Sequence, residues 1–410
     1  MAITDINNSQ LTFASSQIGV QVTKVTDSSA DWSSISNNTY FYDKNDKLVH
    51  YKNSGGSVLE LFTAGGLTNF TEAANSSAPN ATVPVNSLTA TGAATNIDIA
   101  IVPKGNGALM ADIPDNTTTG GNKRGQYAVD WQHGPKANAD KVASSDYSTI
   151  IGGRDNRAYN TYAIAGGYLA YAGGNQSTAL QQGTTSNILA FAHGSRAIAS
   201  GYGAVVFGSY IFGDTIASGD NSTAINGGNQ ATAAFSFAAG GYFNTANGYM
   251  SYAFGTQGHT FGIVGRMVKN YSFNNVAGEC QKSIFNLGVR TTGNTATTVT
   301  VAGGAASTTN QVILSNNSAF RFKGSIVGKQ SGSVNAAVWD IDGFIVRGAN
   351  AAATTLNVSN VTLVQNTPAW GTPTLAADTT NGGLRVQVTG AAATNIQWTA
   401  VIETTEVIYA

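Results

Sequence analysis

The chain has 410 residues and a formal net charge of −1, and only 10% of its residues are Asp, Glu, Lys or Arg. Its low charge and a hydrophobic content of 42% argue against disorder, and without a basic stripe we do not expect nucleic-acid binding. The single cysteine, Cys280, excludes an intrachain disulfide framework and a multi-cysteine zinc site.

Targeting and membrane segments are not apparent in the sequence. The opening residues MAITDINNSQLTF have neither the basic nor the apolar segment of a secretory signal. No run of about 18 apolar residues predicts a membrane helix. We therefore expect a chain that is made in a cytoplasm and does not insert into a membrane.

The first part of the chain reads as small β modules. Residues 1–95 form an N-terminal β module, in which YFYDKNDKLVHY (Tyr40–Tyr51) predicts a hairpin. Residues 96–147 form a hairpin and linker segment, with two strands expected in Asn96–Pro114 around a turn at Pro103–Gly107.

A repeat occupies residues 148–262. Aligned positions recur every fourteen residues, apart from one step of nineteen that we interpret as a five-residue insertion near Asp214–Asp220. The aligned column is Gly152, Gly166, Leu180, Gly194, Gly208, Gly227, Gly241 and Gly255. The column two places earlier is Ile150, Ile164, Thr178, Ala192, Val206, Ile225, Ala239 and Ala253. This period predicts a β-solenoid whose coils stack about 4.8 Å apart.

Coils this thin predict an oligomer. Large apolar residues fall on several columns, too many for one narrow interior: Tyr162, Phe191, Phe207, Phe237, Tyr252 and Phe254. Apolar surface of this extent is normally covered by a partner. Three identical coils around one axis would cover it, so we expect a homotrimer.

Residues 263–410 are predicted to form a C-terminal β-sandwich or jelly roll. Eight strand-like runs with regular turns, from SIFNLGVR to NIQWTAVIETTEVIYA, favour such a domain. Helical periodicity is almost absent along the whole chain. The expected fold class is therefore all-β.

Two stretches of the repeat, STIIGGRDNRAYNTYAIAGGY and SGDNSTAINGGNQATA (Ser218–Ala233), resemble the left-handed parallel β-roll of trimeric autotransporter adhesin heads. A more specific resemblance is to bacteriophage tail fibres. There, a segment like PKGNGA followed by GGNKRGQYAVDWQ, both within Ile97–Gln132, precedes the same repeat. The terminal run GGLRVQVTGAAATNIQWTAVIETTEV is also similar to the last module of such fibres.

The resemblance implies a structural fibre on the outside of a phage particle, assembled in the host cytoplasm. Residues 1–95 would attach to other virion proteins, on the tail or the capsid. The roll would be a rigid shaft, and residues 263–410 would meet a host surface polysaccharide or outer-membrane receptor. Three alternatives stay open: a capsid-attached fibre or decoration protein, a polysaccharide depolymerase tailspike, and a bacterial surface adhesin.

Receptor contacts are expected in the terminal domain, where aromatic rings could stack on sugars. Trp370 follows Pro368 in a predicted loop and is the better candidate, with Trp339 as a second. Asp340 and Asp342 alternate in WDIDG, so both point to one face of a strand. They could bind a cation, work as a pair, or simply close the strand on its solvent side.

Catalytic chemistry finds little support in the sequence. The acids of the repeat, Asp155, Asp214 and Asp220, read as turn or loop residues. His193 and His259 could supply a metal ligand only if they lie on a threefold axis, and no metal-binding or nucleophile motif is present. We therefore expect no enzymatic activity, cofactor or metal.

Overall fold

The computed structural model describes residues 24–26, 32–33, 35–43, 48–60, 70–79, 82–208, 213–270 and 276–409. The chain divides into two compact units, Met1–Ile101 and Val102–Ala410. The described residues form strands, turns and short 3₁₀ segments such as Val301–Gly303 and Ala351–Ala353, with no α-helix among them. The all-β expectation is thus confirmed. No helix in this part of the chain is long and apolar enough to cross a membrane.

The first unit contains a four-stranded sheet and a separate hairpin. Their strands are β1 (Lys24–Thr26), β2 (Thr39–Asp43), β3 (Leu48–Lys52), β4 (Val58–Glu60), β5 (Phe70–Asn75) and β6 (Val85–Ala90). β2 and β3 form the predicted antiparallel hairpin, with Tyr40 opposite Tyr51; the residues of its turn, 44–47, lie outside the described part. Phe41 and Ile35 are buried beneath this sheet.

The hairpin predicted in Asn96–Pro114 is not formed. Residues 96–108 contain a turn at Lys104–Gly107 but no strand. The short strand β7 (Leu109–Met110) instead pairs in parallel with β8 (Val129–Asp130). These residues therefore begin the roll, about forty residues before the predicted start.

The roll is a β-solenoid of about eight turns in which each full coil contributes one strand to each of two parallel sheets. The long sheet continues from β7 and β8 with β9 (Thr149–Arg154), β11 (Ile164–Tyr168), β13 (Thr178–Leu180), β15 (Phe191–His193), β17 (Val205–Phe207), β19 (Thr223–Ile225), β21 (Phe237–Ala239), β23 (Tyr252–Gly255) and β24 (Met267–Asn270). The short sheet is β10 (Arg157–Ala158), β12 (Tyr171–Ala172), β14 (Thr184–Thr185), β16 (Ala197–Ala199), β18 (Thr215–Ala217), β20 (Gln230–Ala231) and β22 (Thr245–Ala246).

Small side chains from both sheets, with further alanines from the corners, fill the interior of a coil. In the long sheet the stacked inward residues are Ile150, Ala165, Ala179, Ala192, Val206, Ala224, Ala238, Ala253 and Val268, all fully buried. Facing them are Ala158, Ala172, Thr185, Ala199, Ala217, Ala231 and Ala246. Alanine predominates because the two sheets lie too close together for larger side chains.

The column two places before the aligned glycines does not keep to one face of the long sheet. Ile150, Ala192, Val206 and Ala253 point inward, but Ile164, Thr178, Ile225 and Ala239 lie beside the buried residue and face outward. Successive buried residues are 13 to 15 apart, with 18 between Val206 and Ala224. An alignment of the glycines at a fixed step of fourteen residues therefore drifts by one residue relative to the buried positions. In a strand, such a slip exchanges the two faces.

The long inter-coil step is an insertion between Phe207 and Thr215, which adjoins the position predicted near Asp214–Asp220. Of the inserted residues, 209–212 lie outside the described part. The paired glycines are corners where coils approach closely: Gly153 has a φ of 95°, and a Cβ there would stand 1.8 Å from the carbonyl oxygen of Gly167.

The second unit ends in two antiparallel sheets with one shared core. The first sheet contains β25 (Cys280–Thr291), β28 (Ser318–Gln330), β29 (Ala336–Arg347), β30 (Thr354–Thr367) and β33 (Ile396–Ile408), and the second contains β26 (Ala296–Thr298), β27 (Val312–Ile313), β31 (Gly371–Asp378) and β32 (Gly383–Thr389). Side chains of both sheets, including Phe320, Trp398 and Val386, form the core. β31 contains Pro373, which lies where the register of β31 with β32 shifts.

The roll and the terminal domain share one sheet. β24, from the last coil, pairs antiparallel with β25, with Met267 opposite Ile284. Beneath this joint the fully buried Arg266 forms an ion pair with Glu406 of β33. The Arg266 Nε also donates to Ser283 Oγ at 3.0 Å, and Gln281 Nε2 donates to Glu406 Oε2 at 2.9 Å. Removing one partner of such a buried pair leaves an uncompensated charge, so the pair fixes the joint in one arrangement.

His259, which lies beside this joint, should make the stability of the fold depend on pH. Burial and then the charge of Arg266 lower the pKa of His259 from 6.5 to about 4, and its Nδ1 accepts the Phe261 N–H at 2.9 Å. The unfolded chain takes up a proton below about pH 6.5, whereas the folded chain does so only near pH 4. Stability is therefore complete above pH 6.5 and falls as the pH drops towards 4, by about 3 kcal/mol.

Urea unfolding of the wild type and of His259→Gln at several pH values tests this. The variant is expected to lose less stability than the wild type between pH 7.5 and pH 4.5. Parallel stability–pH curves for the two proteins would contradict the assignment.

Candidate receptor-binding surfaces

An apolar strip runs along one side of the roll. It comprises the outward side chains of the long sheet, which include Ile151, Ile164, Leu180, Phe191, Phe207, Ile225, Phe237, Tyr252, Phe254 and Met267. Ile151 is 59% exposed and Phe207 43%. The strip ends in a concave site of about 480 Å³, lined by Phe254, Met267, Lys269, Lys282 and Ile284 at the joint with the terminal domain.

The corner that precedes each strand of the long sheet widens this strip. Its exposed residues are Tyr127, Tyr147, Tyr162, Leu189, Tyr202, Phe235, Tyr249 and Met250. The rings of Tyr127, Tyr147 and Tyr162 stack at centroid distances of 5.0 Å. All three residues have φ between 55° and 59°, a conformation that is uncommon outside glycine. A side chain is therefore retained at this corner where glycine would fit the backbone more easily.

The predicted tryptophan contacts are not available on the surface. Trp339 is 1% exposed and Trp370 6%, and both rings pack on Trp398 at centroid distances of 6.1 and 5.5 Å. Trp370 is buried because Asn366 binds its backbone at both N–H and carbonyl, which turns the loop inward. The prediction of receptor contact through these two residues is therefore corrected: they are core residues in this chain.

Asp340 and Asp342 do share the outer face of the terminal sheet. Asp340 is exposed, and its carboxylate makes no hydrogen bond or ion pair within the described part of the chain. Asp342 is paired with Arg321 at 2.8 Å and with Asn360 at 3.3 Å. Their role in receptor contact stays a prediction.

Other charged groups join Asp342 on this outer face. Glu403 lies opposite Lys323 and contacts Lys282 Nζ at 2.9 Å and Lys323 Nζ at 3.6 Å. The hydrogen bond from Lys282, more than any other factor, lowers the pKa of Glu403. The face thus carries charged groups beside the exposed Val401 and Val407, and it is continuous with the apolar strip through β24 and β25.

The acids of the repeat have structural contacts. Asp155 has a φ of 58° and accepts the Ala137 N–H; burial raises its pKa, but this bond and Arg154 lower it overall. Asp214 is paired with Arg196 at 2.7 Å, and Asp220 accepts the Tyr202 N–H at 3.0 Å. In the described part of the chain no three His, Cys, Asp or Glu side chains are grouped to hold a metal.

Comparisons with known proteins give limited similarity. No family model and no curated protein matches the chain. Two solved structures of phage proteins are similar over part of their length. The first is the tailspike protein gp49 of Acinetobacter baumannii bacteriophage Fri1, described as a capsular polysaccharide depolymerase, at 10% identity and a TM-score of 0.22 over 72% of this chain and 52% of that chain. The second is the tailspike protein of Acinetobacter phage vB_ApiP_P1, at 10% identity and a TM-score of 0.18 over 70% of this chain and 55% of that chain.

These matches span about half the length of each tailspike. The description of the first as a depolymerase contradicts the expectation that the chain is not an enzyme, and we do not keep that expectation. At these TM-scores the likeness itself assigns no activity to this chain.

Gly328 is predicted to be required for the packing of the tryptophan cluster. A Cβ at this position would lie 2.5 Å from the Trp398 ring, which is fully buried and cannot move aside. Gly328→Ala should therefore destabilise the terminal domain by about 1–3 kcal/mol, measured by urea unfolding with tryptophan fluorescence. Gly304→Ala is the matched control, because its Cβ would meet no atom within 4 Å. Equal stability of the two variants would contradict this packing.

Proposed function

We propose that the chain is a homotrimeric receptor-binding fibre on the exterior of a bacteriophage, which attaches to polysaccharide on the host cell surface. The apolar strip is the observation that carries the proposal, since it leaves a continuous apolar side of the roll facing solvent in a single chain. The phage-fibre motifs within Ile97–Gln132 and the terminal run from Gly382 support the viral origin.

The strip fits a threefold arrangement of parallel rolls. Each chain has one such side, and three chains around an axis can turn all three sides inward. The exposed rings at the corner and on the sheet supply the aromatic contacts that dominate protein interfaces, and the concave site at Met267 can receive a side chain from a neighbour. The stacked tyrosines then have a reason to occupy corners with positive φ.

In this arrangement the terminal domain presents polar surface to the host. Exposed Asp340 and the charged groups around Glu403 are suited to hydrogen bonds with sugar hydroxyls rather than to burial against protein. Three copies per fibre bind together, so weak individual sites give strong attachment. Residues 1–95 would join other virion proteins.

The apolar strip should be required for the trimer. Light scattering of the wild type should give three times the mass of one chain. Ile164→Asp combined with Phe207→Asp brings charge into the desolvated contact and should reduce the mass to that of one chain, with an unchanged far-ultraviolet circular dichroism spectrum. Thr232→Asp, on an exposed residue beside the short sheet, is the control and should leave the trimer intact. A folded, monomeric wild type would rule out the proposal.

Attachment is tested with the fluorescently labelled trimer and a panel of capsulated bacteria. We expect binding to some strains and its loss after periodate oxidation of their surface sugars. Release of new reducing ends from the purified polysaccharide would show that attachment is accompanied by cleavage. Binding that survives periodate treatment would contradict a polysaccharide receptor.

A further inference from the structure

A cleft lies where β25 and β28 end and β33 begins. Three adjacent strands place Arg290, Gln397 and Lys329 in one row, because Gln397 is opposite both Arg290 and Lys329. At the usual spacing of strands the two cationic residues are about 10 Å apart at their Cα atoms. The cleft has a volume of about 590 Å³, and its remaining lining residues are Thr292, Gln330, Ser331 and Asn395.

The positive charge in this cleft is not neutralised by the protein. The lining contains two cations and no acidic residue. Within the described part of the chain, Arg290 makes no ion pair or side-chain hydrogen bond, whereas Arg321, Lys323 and Lys282 on the same sheet all contact carboxylates. The exposed Asp340 is opposite Ser325, four residues from Lys329 along β28, or about 13 Å.

The walls of the cleft are held in place by hydrogen bonds. The Lys329 ammonium donates to the carbonyl oxygens of Gln330 and Ser333, which fixes its position without removing its charge. Gln330 Oε1 accepts from Asn335 Nδ2 at 2.8 Å, and the Ser331 N–H donates to the Asn395 carbonyl at 2.9 Å. The two loops that form the rim are therefore tied to each other.

The floor of the cleft is rigid as well. Trp398 follows Gln397 and points to the opposite side of the sheet, where its Nε1 donates to Thr291 Oγ1 at 2.9 Å. Its ring packs over Gly328, the neighbour of Lys329. The buried tryptophan cluster thus supports the row of polar side chains from the other side of the sheet. Because this support is rigid, little reorganisation is needed when a ligand binds.

We propose that this cleft binds the anionic group of an acidic saccharide, as the receptor subsite of the fibre proposed above. Arg290 can hold a carboxylate or phosphate through two parallel N–H donors, and Lys329 adds a second charge on the other side of the row. Gln397 Nε2 donates to the Val289 and Trp398 carbonyls and Gln330 Oε1 accepts from Asn335, so the groups left for the sugar hydroxyls are Gln397 Oε1, Gln330 Nε2, the Asn395 amide and the hydroxyls of Thr292 and Ser331. The inference rests on the proposed function and names the chemical class of its ligand.

Saturation-transfer NMR on the full-length protein tests the subsite with four probes: a galacturonic acid oligomer, a galactose oligomer of equal length, glucose 6-phosphate and inorganic phosphate. We expect binding of the galacturonic acid oligomer and none of the neutral oligomer, with binding weakened by salt. Binding of glucose 6-phosphate instead would assign the anion as a phosphate ester. Competition by inorganic phosphate alone, without saccharide binding, would overturn recognition of a sugar.

Two variants test whether Arg290 and Lys329 are responsible for binding the acidic probe. Arg290→Gln with Lys329→Gln should weaken binding of the acidic probe at least tenfold, whereas Lys323→Gln, on the same strand but paired with Glu403, should leave it unchanged. Circular dichroism and light scattering confirm that each variant is folded and assembled. A trimer that attaches to bacteria but binds no acidic probe, or binds it equally in the double variant, would overturn the subsite and leave the fibre function standing.

Discussion

The small cross-section of a single coil limits how much apolar surface the roll can bury, and the rest of the structure depends on this limit. Each coil has two short strands, and its interior is filled mainly by small side chains, most often alanine. Burial of alanine removes little apolar surface from water, so the hydrogen bonds between coils and the surfaces outside the roll carry much of the stability. The apolar strip follows from this limit, because the larger apolar side chains have no room inside; in the proposed trimer, neighbouring chains cover them.

The terminal domain solves a second problem set by the roll. A stack of parallel strands ends in an open edge, and an open edge invites pairing with other chains. Here β25 pairs with the last coil and turns the same sheet into an antiparallel one, while the Arg266–Glu406 pair fixes the joint beneath it. The outer face of the same sheet thus changes along its length from the apolar strip to a surface that also carries charged groups, and the two parts receive different proposed roles.

Several residues acquire their meaning only from this arrangement. Trp339 and Trp370 are attractive as sugar-binding residues in sequence, yet both are buried around Trp398 and support the sheet from within. The sequence does not indicate Arg290 and Lys329 as binding residues, because they are 39 residues apart and belong to no motif. They become neighbours because β33 lies between β25 and β28, and their lack of carboxylate partners is visible only once the other pairs are known.

The sequence by itself determined the all-β class, the repeat and the first hairpin, because short periods and turn residues act locally. It did not determine the register, since coils of 13 to 15 residues break a fixed step, and a slip of one residue exchanges buried Ala165 for exposed Ile164. The start of the roll at Leu109 and the burial of Trp370 were likewise decided only by tertiary structure. Strand pairing and loop packing depend on residues far apart in the chain. A local sequence pattern does not specify which distant residue will pack against a given side chain.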